Sequence, residues 1–239
     1  GSDAQQITHS AKSEYSARWV KNGQKIAFLT SESGDVQLWE MNPDGTERTQ
    51  ITTRAGGITD YLYAPNGKQI LLIANIPFGK RTTDHYPDLD KASGFVVDEL
   101  MYKHWDEWTT SIPHPFLVDY DGSQVSNERD LLAGEPYECP MKPFGGVEQL
   151  AFSPDSKLIA YTCRKKTGKA YAESTNSDIY LYDIAQGKTI SNLSEGMMGY
   201  DINPTFSPNG EYLAWESMER DGNESDKNRL FVMNLATNE

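Results

Sequence analysis

The chain has 239 residues with 22 basic and 35 acidic side chains, a net charge of -13 that repels nucleic acid and anionic membrane surfaces. A hydrophobic fraction of 37% with 11% aromatics supplies a packed core, which excludes a disordered segment despite a mean hydropathy of -0.64. The longest apolar run, Ile70 to Ala74, is far shorter than the roughly 20 residues of a membrane-spanning helix.

Gly1-Ser2 reads as an expression scar, leaving residues 3–239 as the folded region. Gln5-Gln6-Ile7-Thr8 is repeated at Thr49-Gln50-Ile51-Thr52, so both are predicted to be outer strands. Between them, Trp19-Val20-Lys21-Asn22-Gly23-Gln24-Lys25-Ile26-Ala27-Phe28 introduces a phrase that returns three times. Its copies are Ala64-Pro65-Asn66-Gly67-Lys68-Gln69-Ile70, Phe152-Ser153-Pro154-Asp155-Ser156-Lys157-Leu158 and Phe206-Ser207-Pro208-Asn209-Gly210-Glu211-Tyr212. Proline presets the first corner of a turn, Asn or Asp tolerates the next, and glycine accepts positive φ, so each copy predicts strand, turn, strand.

A third, alternating strand follows each copy, at 36–41, 115–120, 179–184 and 230–235. A short fourth strand ends at Ile51-Thr52 and Leu193-Ser194, with Asp130-Leu131-Leu132 a looser equivalent. Four antiparallel strands per repeat describe a propeller blade. The expected fold is all-β, a β-propeller fragment of about four blades, excised from a larger ring, whose open blade edges favour self-association. Trp19, Tyr63, Phe152, Phe206 and Trp215 flank the repeated turns and are expected to pack between blades.

The turn residues Asn22, Asn66, Asp155 and Asn209 lie 44, 89 and 54 positions apart, so the second blade carries an insertion at about 75–113. Pro87, followed by apolar residues at 95, 96, 100 and 101, predicts a helix there. Lys103-His104-Trp105-Asp106-Glu107-Trp108 interleaves aromatics with carboxylates. Such a surface can hold a cation by charge and through ring faces, or it can be an exposed hairpin whose tryptophans pack on the propeller.

No catalytic apparatus is visible. None of the 19 glycines has a serine two residues later, so no G-x-S-x-G elbow exists, and no strand–helix alternation could build a hydrolase sheet. His9, His85, His104 and His114 lack ligand spacing, and no metal or cofactor is expected. The acidic stretches 84–90 and 221–226 lack calcium-loop order and read as solvated tips. Cys139 and Cys163, the only cysteines, leave open one disulfide or two thiols.

Leu100-Met101-Tyr102-Lys103-His104-Trp105-Asp106-Glu107-Trp108, with Tyr161-Thr162-Cys163-Arg164-Lys165-Lys166 and Arg229-Leu230-Phe231-Val232-Met233-Asn234-Leu235, makes the chain resemble the N-terminal propeller of bacterial prolyl oligopeptidase-family serine peptidases, in the dipeptidyl peptidase 5 and acylaminoacyl peptidase branch. The resemblance implies a C-terminal α/β-hydrolase domain, absent from these residues, that carries the triad. It also implies short peptide substrates and a periplasmic or secreted location. By analogy with acidic pairs that bind the substrate ammonium, it marks Asp98, Glu99, Asp106 and Glu107, with Trp105 and Trp108, as the candidate amino-terminus site. A TolB-like propeller that binds another protein is the alternative.

Overall fold

The computed structural model describes residues 4–99, 101, 103–104 and 107–237, with 103 and 104 described by backbone alone. The first blade is β1 (Glu14–Val20), β2 (Lys25–Thr30), β3 (Gln37–Met41) and β4 (Thr49–Gln50), hydrogen-bonded in that order. Blade 2 opens with β5 (Asp60–Tyr63) and β6 (Gln69–Pro77). It then leaves the sheet through α1 (Thr82–His85) and a hairpin of β7 (Lys103–His104) and β8 (Glu107–Trp108), and returns as β9 (Ser111–Tyr120) and β10 (Val125–Asp130). Blade 3 is β11 (Leu150–Phe152), β12 (Leu158–Cys163), β13 (Asp178–Asp183) and β14 (Lys188–Asn192), with α2 (Gly168–Glu173) between its second and third strands. Blade 4 has β15 (Asp201–Phe206), β16 (Tyr212–Ser217) and β17 (Arg229–Asn234).

The chain is therefore the all-β, four-blade propeller fragment that the repeats predict. It divides into two compact units, Gly1–Ala74 with Pro115–Asp130, and Asn75–His114 with Leu131–Glu239.

The repeated phrase works as its residues require. Gly67 and Gly210 take φ of 66° and 74°, and in blade 3 Ser156 takes the same left-handed corner at 58°. The outer-strand ending also has a physical basis. Thr52 Oγ1 accepts the Leu38 amide at 2.9 Å and donates to Gln37 Oε1 at 2.7 Å; Ser194 Oγ accepts the Ile179 amide at 3.0 Å and donates to Asp178 Oδ1 at 3.3 Å. A hydroxyl after the apolar residue thus ties the fourth strand to the third in two blades.

In the first unit, blades 1 and 2 meet through polar side chains. Arg18 Nη1 donates to Asp60 Oδ1 at 2.7 Å, and the buried Tyr61 hydroxyl donates to the carbonyls of Ser16 and Ala27. Glu40, 3% exposed, accepts the hydroxyls of Tyr63 and Tyr120 and pairs with Lys21. In the second unit, Ala160, Ile179 and Leu181 of blade 3 pack with Phe206, Leu213 and Trp215 of blade 4.

Three expectations are corrected, the first being that Gln5 to Thr8, expected as an outer strand, joins no sheet among the described residues. Trp19 is 64% exposed, whereas Phe206, its counterpart in the repeat, is buried against blade 3. The aromatic at this position packs on the blade before its own, and Trp19 belongs to the first blade of the sequence. The insertion's helix lies in front of Pro87 rather than after it, as the single turn α1, which ends at His85 with Tyr86 as its cap. Proline disfavours helical geometry in the residue before it, and the described residues 88–99 contain Gly94 and the β-branched pair Val96-Val97, which oppose a helix.

Candidate functional site

The insertion forms an arm within the second unit. Its base stays closed: the Phe78 amide donates to the Thr110 carbonyl at 3.0 Å. The Arg81 amide donates to Asp84 Oδ2 at 2.7 Å, which caps α1, and Thr82 Oγ1 donates to the Gly94 carbonyl, which folds the arm back on itself. Met101 and Ile112 are buried with Tyr171 of α2, with Ile76 and Phe78 packed around them. The arm thus has its own small core, and its floor comes from the loop of the next blade.

Trp108 stacks on Phe95, with ring centroids 4.5 Å apart and planes 10° apart, although each ring is about half exposed. The carboxylate of Glu107, the preceding residue, is 76% exposed and 4.0 Å from Lys142 Nζ. Such a pair in water contributes little to stability and leaves Glu107 able to take another cation. Asp98 and Glu99 are exposed, and Glu99 Oε2 lies 3.5 Å from the place a Cβ on Gly168 would occupy. Trp105 and Asp106 lie outside the described residues. The structure therefore places Asp98, Glu99, Glu107 and Trp108 on one exposed arm, with Trp108 forming half of an aromatic stack.

Sequence reasoning missed three groups. Phe95 carries no motif, and its role follows only from the fold of the arm. Glu138 is 1% exposed; one of its carboxyl oxygens accepts the Lys142 amide at 3.0 Å and the Tyr171 hydroxyl, so a buried polar group anchors the floor of the arm. Burial, followed by the field of Glu138, pushes the Tyr171 phenol up, so it remains a donor. Asp221 belongs to an acidic stretch read as a solvated tip, yet its Oδ1 accepts three hydrogen bonds from residues 174–176.

Cys139 and Cys163 are both buried and stand as thiols, with Cys163 Sγ donating to the Glu138 carbonyl at 3.5 Å. Burial pushes both thiols well above their usual range, which makes them poor nucleophiles. Among the described residues no group of three or more metal-ligating side chains occurs, and no helix is long and apolar enough to cross a membrane.

Four-strand antiparallel blades, Pro-Asn-Gly-type corners and one long excursion between second and third strands define a β-propeller of the TolB and peptidase type. In structure, acylaminoacyl peptidase from Pyrococcus horikoshii matches with a TM-score of 0.59 and 16% identity, over 93% of this chain and 31% of that one. TolB from Acinetobacter baumannii matches with a TM-score of 0.54 and 17% identity, over 97% of this chain and 43% of that one. No family model matches the sequence. Dipeptidyl-peptidase 5 of Porphyromonas gingivalis, however, is 54% identical over 237 residues, which are 99% of this chain and 34% of that protein. Over nearly its whole length the chain is thus similar to part of dipeptidyl-peptidase 5, and the structural likenesses show that this part folds as a β-propeller region. It spans about a third of the length of the curated relatives it matches.

Proposed function

We propose that this propeller is the non-catalytic, substrate-gating part of a serine exopeptidase, and that its arm anchors the amino terminus of short peptides presented to a hydrolase domain elsewhere in the parent protein. The observation that carries this reading is the arm itself. It holds exposed carboxylates, Asp98, Glu99 and Glu107, and the exposed Phe95–Trp108 stack on one segment, over a floor fixed by buried groups. An enzyme that releases two residues at a time must measure from the ammonium end of its substrate. A carboxylate on a braced arm supplies such a ruler, and an aromatic face adds cation–π attraction.

A charge-assisted contact to an ammonium is worth about 1.5–3 kcal/mol. In the full-length protein, Glu107→Gln or Asp106→Asn should therefore lower kcat/KM for peptides with a free amino terminus by about 10- to 100-fold, leaving acylated substrates much less affected. Neutralising Asp98, Glu99, Asp106 and Glu107 together without any such selectivity would place the anchor elsewhere. The 239-residue chain alone should not cleave dipeptidyl or acyl-aminoacyl chromogenic substrates, because nothing in it forms an activated serine. Turnover that copurifies with the chain and is stopped by a serine-directed inhibitor would overturn that expectation.

A further inference from the structure

We infer that Asp221, in the loop between β16 and β17, is a positioning residue for the arm of blade 2, acting through α2. Three loops, each joining the second and third strands of its blade, are linked in series within the second unit. At the near end, Tyr171 of α2 is buried with Met101 and Ile112 of the arm, and its hydroxyl donates to Glu138. The Arg164 guanidinium lies 5.0 Å from the centre of the same ring.

At the far end, the chain leaving α2 is held by Asp221. Its Oδ1 accepts Ser174 Oγ at 2.7 Å, the Thr175 amide at 2.9 Å and the Asn176 amide at 3.1 Å. The Gly222 amide returns a bond to Thr175 Oγ1 at 3.0 Å. Gly222 takes φ of 71°, and a Cβ there would sit 3.3 Å from the Glu173 carbonyl, so the loop approaches α2 as closely as backbone allows. The loop is stiffened in turn by Arg220, whose Nε donates to Asp226 Oδ2 at 3.1 Å.

This linkage matters because α2 cannot hold itself. It has six residues, whereas helices below roughly 12–15 residues are marginal in water, so its position depends on what grips its ends. One grip is the floor of the arm, and the other is centred on a single carboxylate oxygen, with one further bond from the Gly222 amide to Thr175. Releasing that oxygen lets α2 shift, and Tyr171 with it, which takes away the surface on which Met101 and Ile112 rest. The residues that carry Phe95, Glu107 and Trp108 then lose their common support.

The test compares Asp221→Ala with Asp221→Asn in the full-length protein. All three donors converge on one oxygen, and an amide keeps an acceptor oxygen there, so asparagine should retain the clasp and alanine should lose it. Backbone hydrogen exchange in residues 95–101 and 107–112 should quicken in the alanine variant and stay as in the parent in the asparagine variant. Ser174→Ala, which removes one of the three donors, should lie between and guards against an alanine variant that fails to fold. Quickened exchange confined to 168–176, or equal behaviour of the alanine and asparagine variants, would overturn the inference.

The kinetic consequence rests on the amino-terminus reading above. If that reading holds, Asp221→Ala should raise KM for free-amino dipeptidyl substrates about tenfold with kcat nearly unchanged, and asparagine should restore it. Quickened exchange in the arm without any change in KM would support the positioning role and count against substrate anchoring, so the two ideas fail separately.

Discussion

Glu40→Ala is expected to cost about 2–5 kcal/mol of unfolding free energy, because it leaves two largely buried phenol donors unsatisfied at about 1–3 kcal/mol each. Glu40 lies on β3 with 3% of its surface exposed. It accepts the Tyr120 hydroxyl at 2.6 Å and the Tyr63 hydroxyl at 2.7 Å, and its other oxygen is 2.7 Å from Lys21 Nζ. Burial, reinforced by Glu40 itself, pushes both phenols far up, so they remain donors at any practical pH. Alanine leaves two phenols and an ammonium without their shared acceptor. Glutamine keeps one acceptor oxygen and should cost about 1–2 kcal/mol. Urea unfolding of the two variants measures the difference. A loss of less than about 1 kcal/mol for alanine, as at an ordinary surface site, would mean that the network does not hold blades 1 and 2 together.

The second large effect is on pH dependence. Asp201, at the start of β15, is fully buried, and this burial raises its carboxyl to about 6. Ser217, Ser194 and Trp215 offset part of the rise, while the neighbouring Asp178 adds to it. Because the folded value lies above the ordinary 3.8, the folded chain holds this proton more tightly than the unfolded chain does. Its contribution to stability is fully present below pH 4 and is lost as pH rises through about 6.

At one pKa unit per 1.36 kcal/mol, the loss reaches about 2–3 kcal/mol by neutral pH. Asp201→Asn removes the titration, so between pH 4 and 7.5 the variant should gain that amount relative to the parent chain. Parallel stability curves across that range would show that Asp201 is ionised in both folded and unfolded states.

The blades were legible because their signals are local. Pro-Asn-Gly fixes a corner through φ alone, and Gln50-Ile51-Thr52 and Asn192-Leu193-Ser194 recur because the hydroxyl has one job in each blade. The arm was legible as an interruption of the repeat and as a cluster of acids and aromatics. Its internal form was not. Residues 95, 96, 100 and 101 have helical spacing, but Pro87, Gly94 and Val96-Val97 oppose a helix, and burial goes instead to Met101 against Tyr171, 70 positions away. Glu138 and Asp221 were invisible for the same reason. The partners of each are set by tertiary proximity, and the acidic stretch around Asp221 points to solvent rather than to those partners.

The closed base of the arm also bears on how such a propeller can diversify. β6 and β9 leave blade 2 side by side and remain joined at Phe78 and Thr110, so whatever lies between them begins and ends at neighbouring points. Closing a flexible loop between such points costs only about 0.6 kcal/mol more for each doubling of length. Blade 2 can therefore carry arms of different length and chemistry with its own strand register unchanged. A segment attached in this way is suited to exchange as a cassette, because its length and chemistry can change while the blade that bears it stays the same.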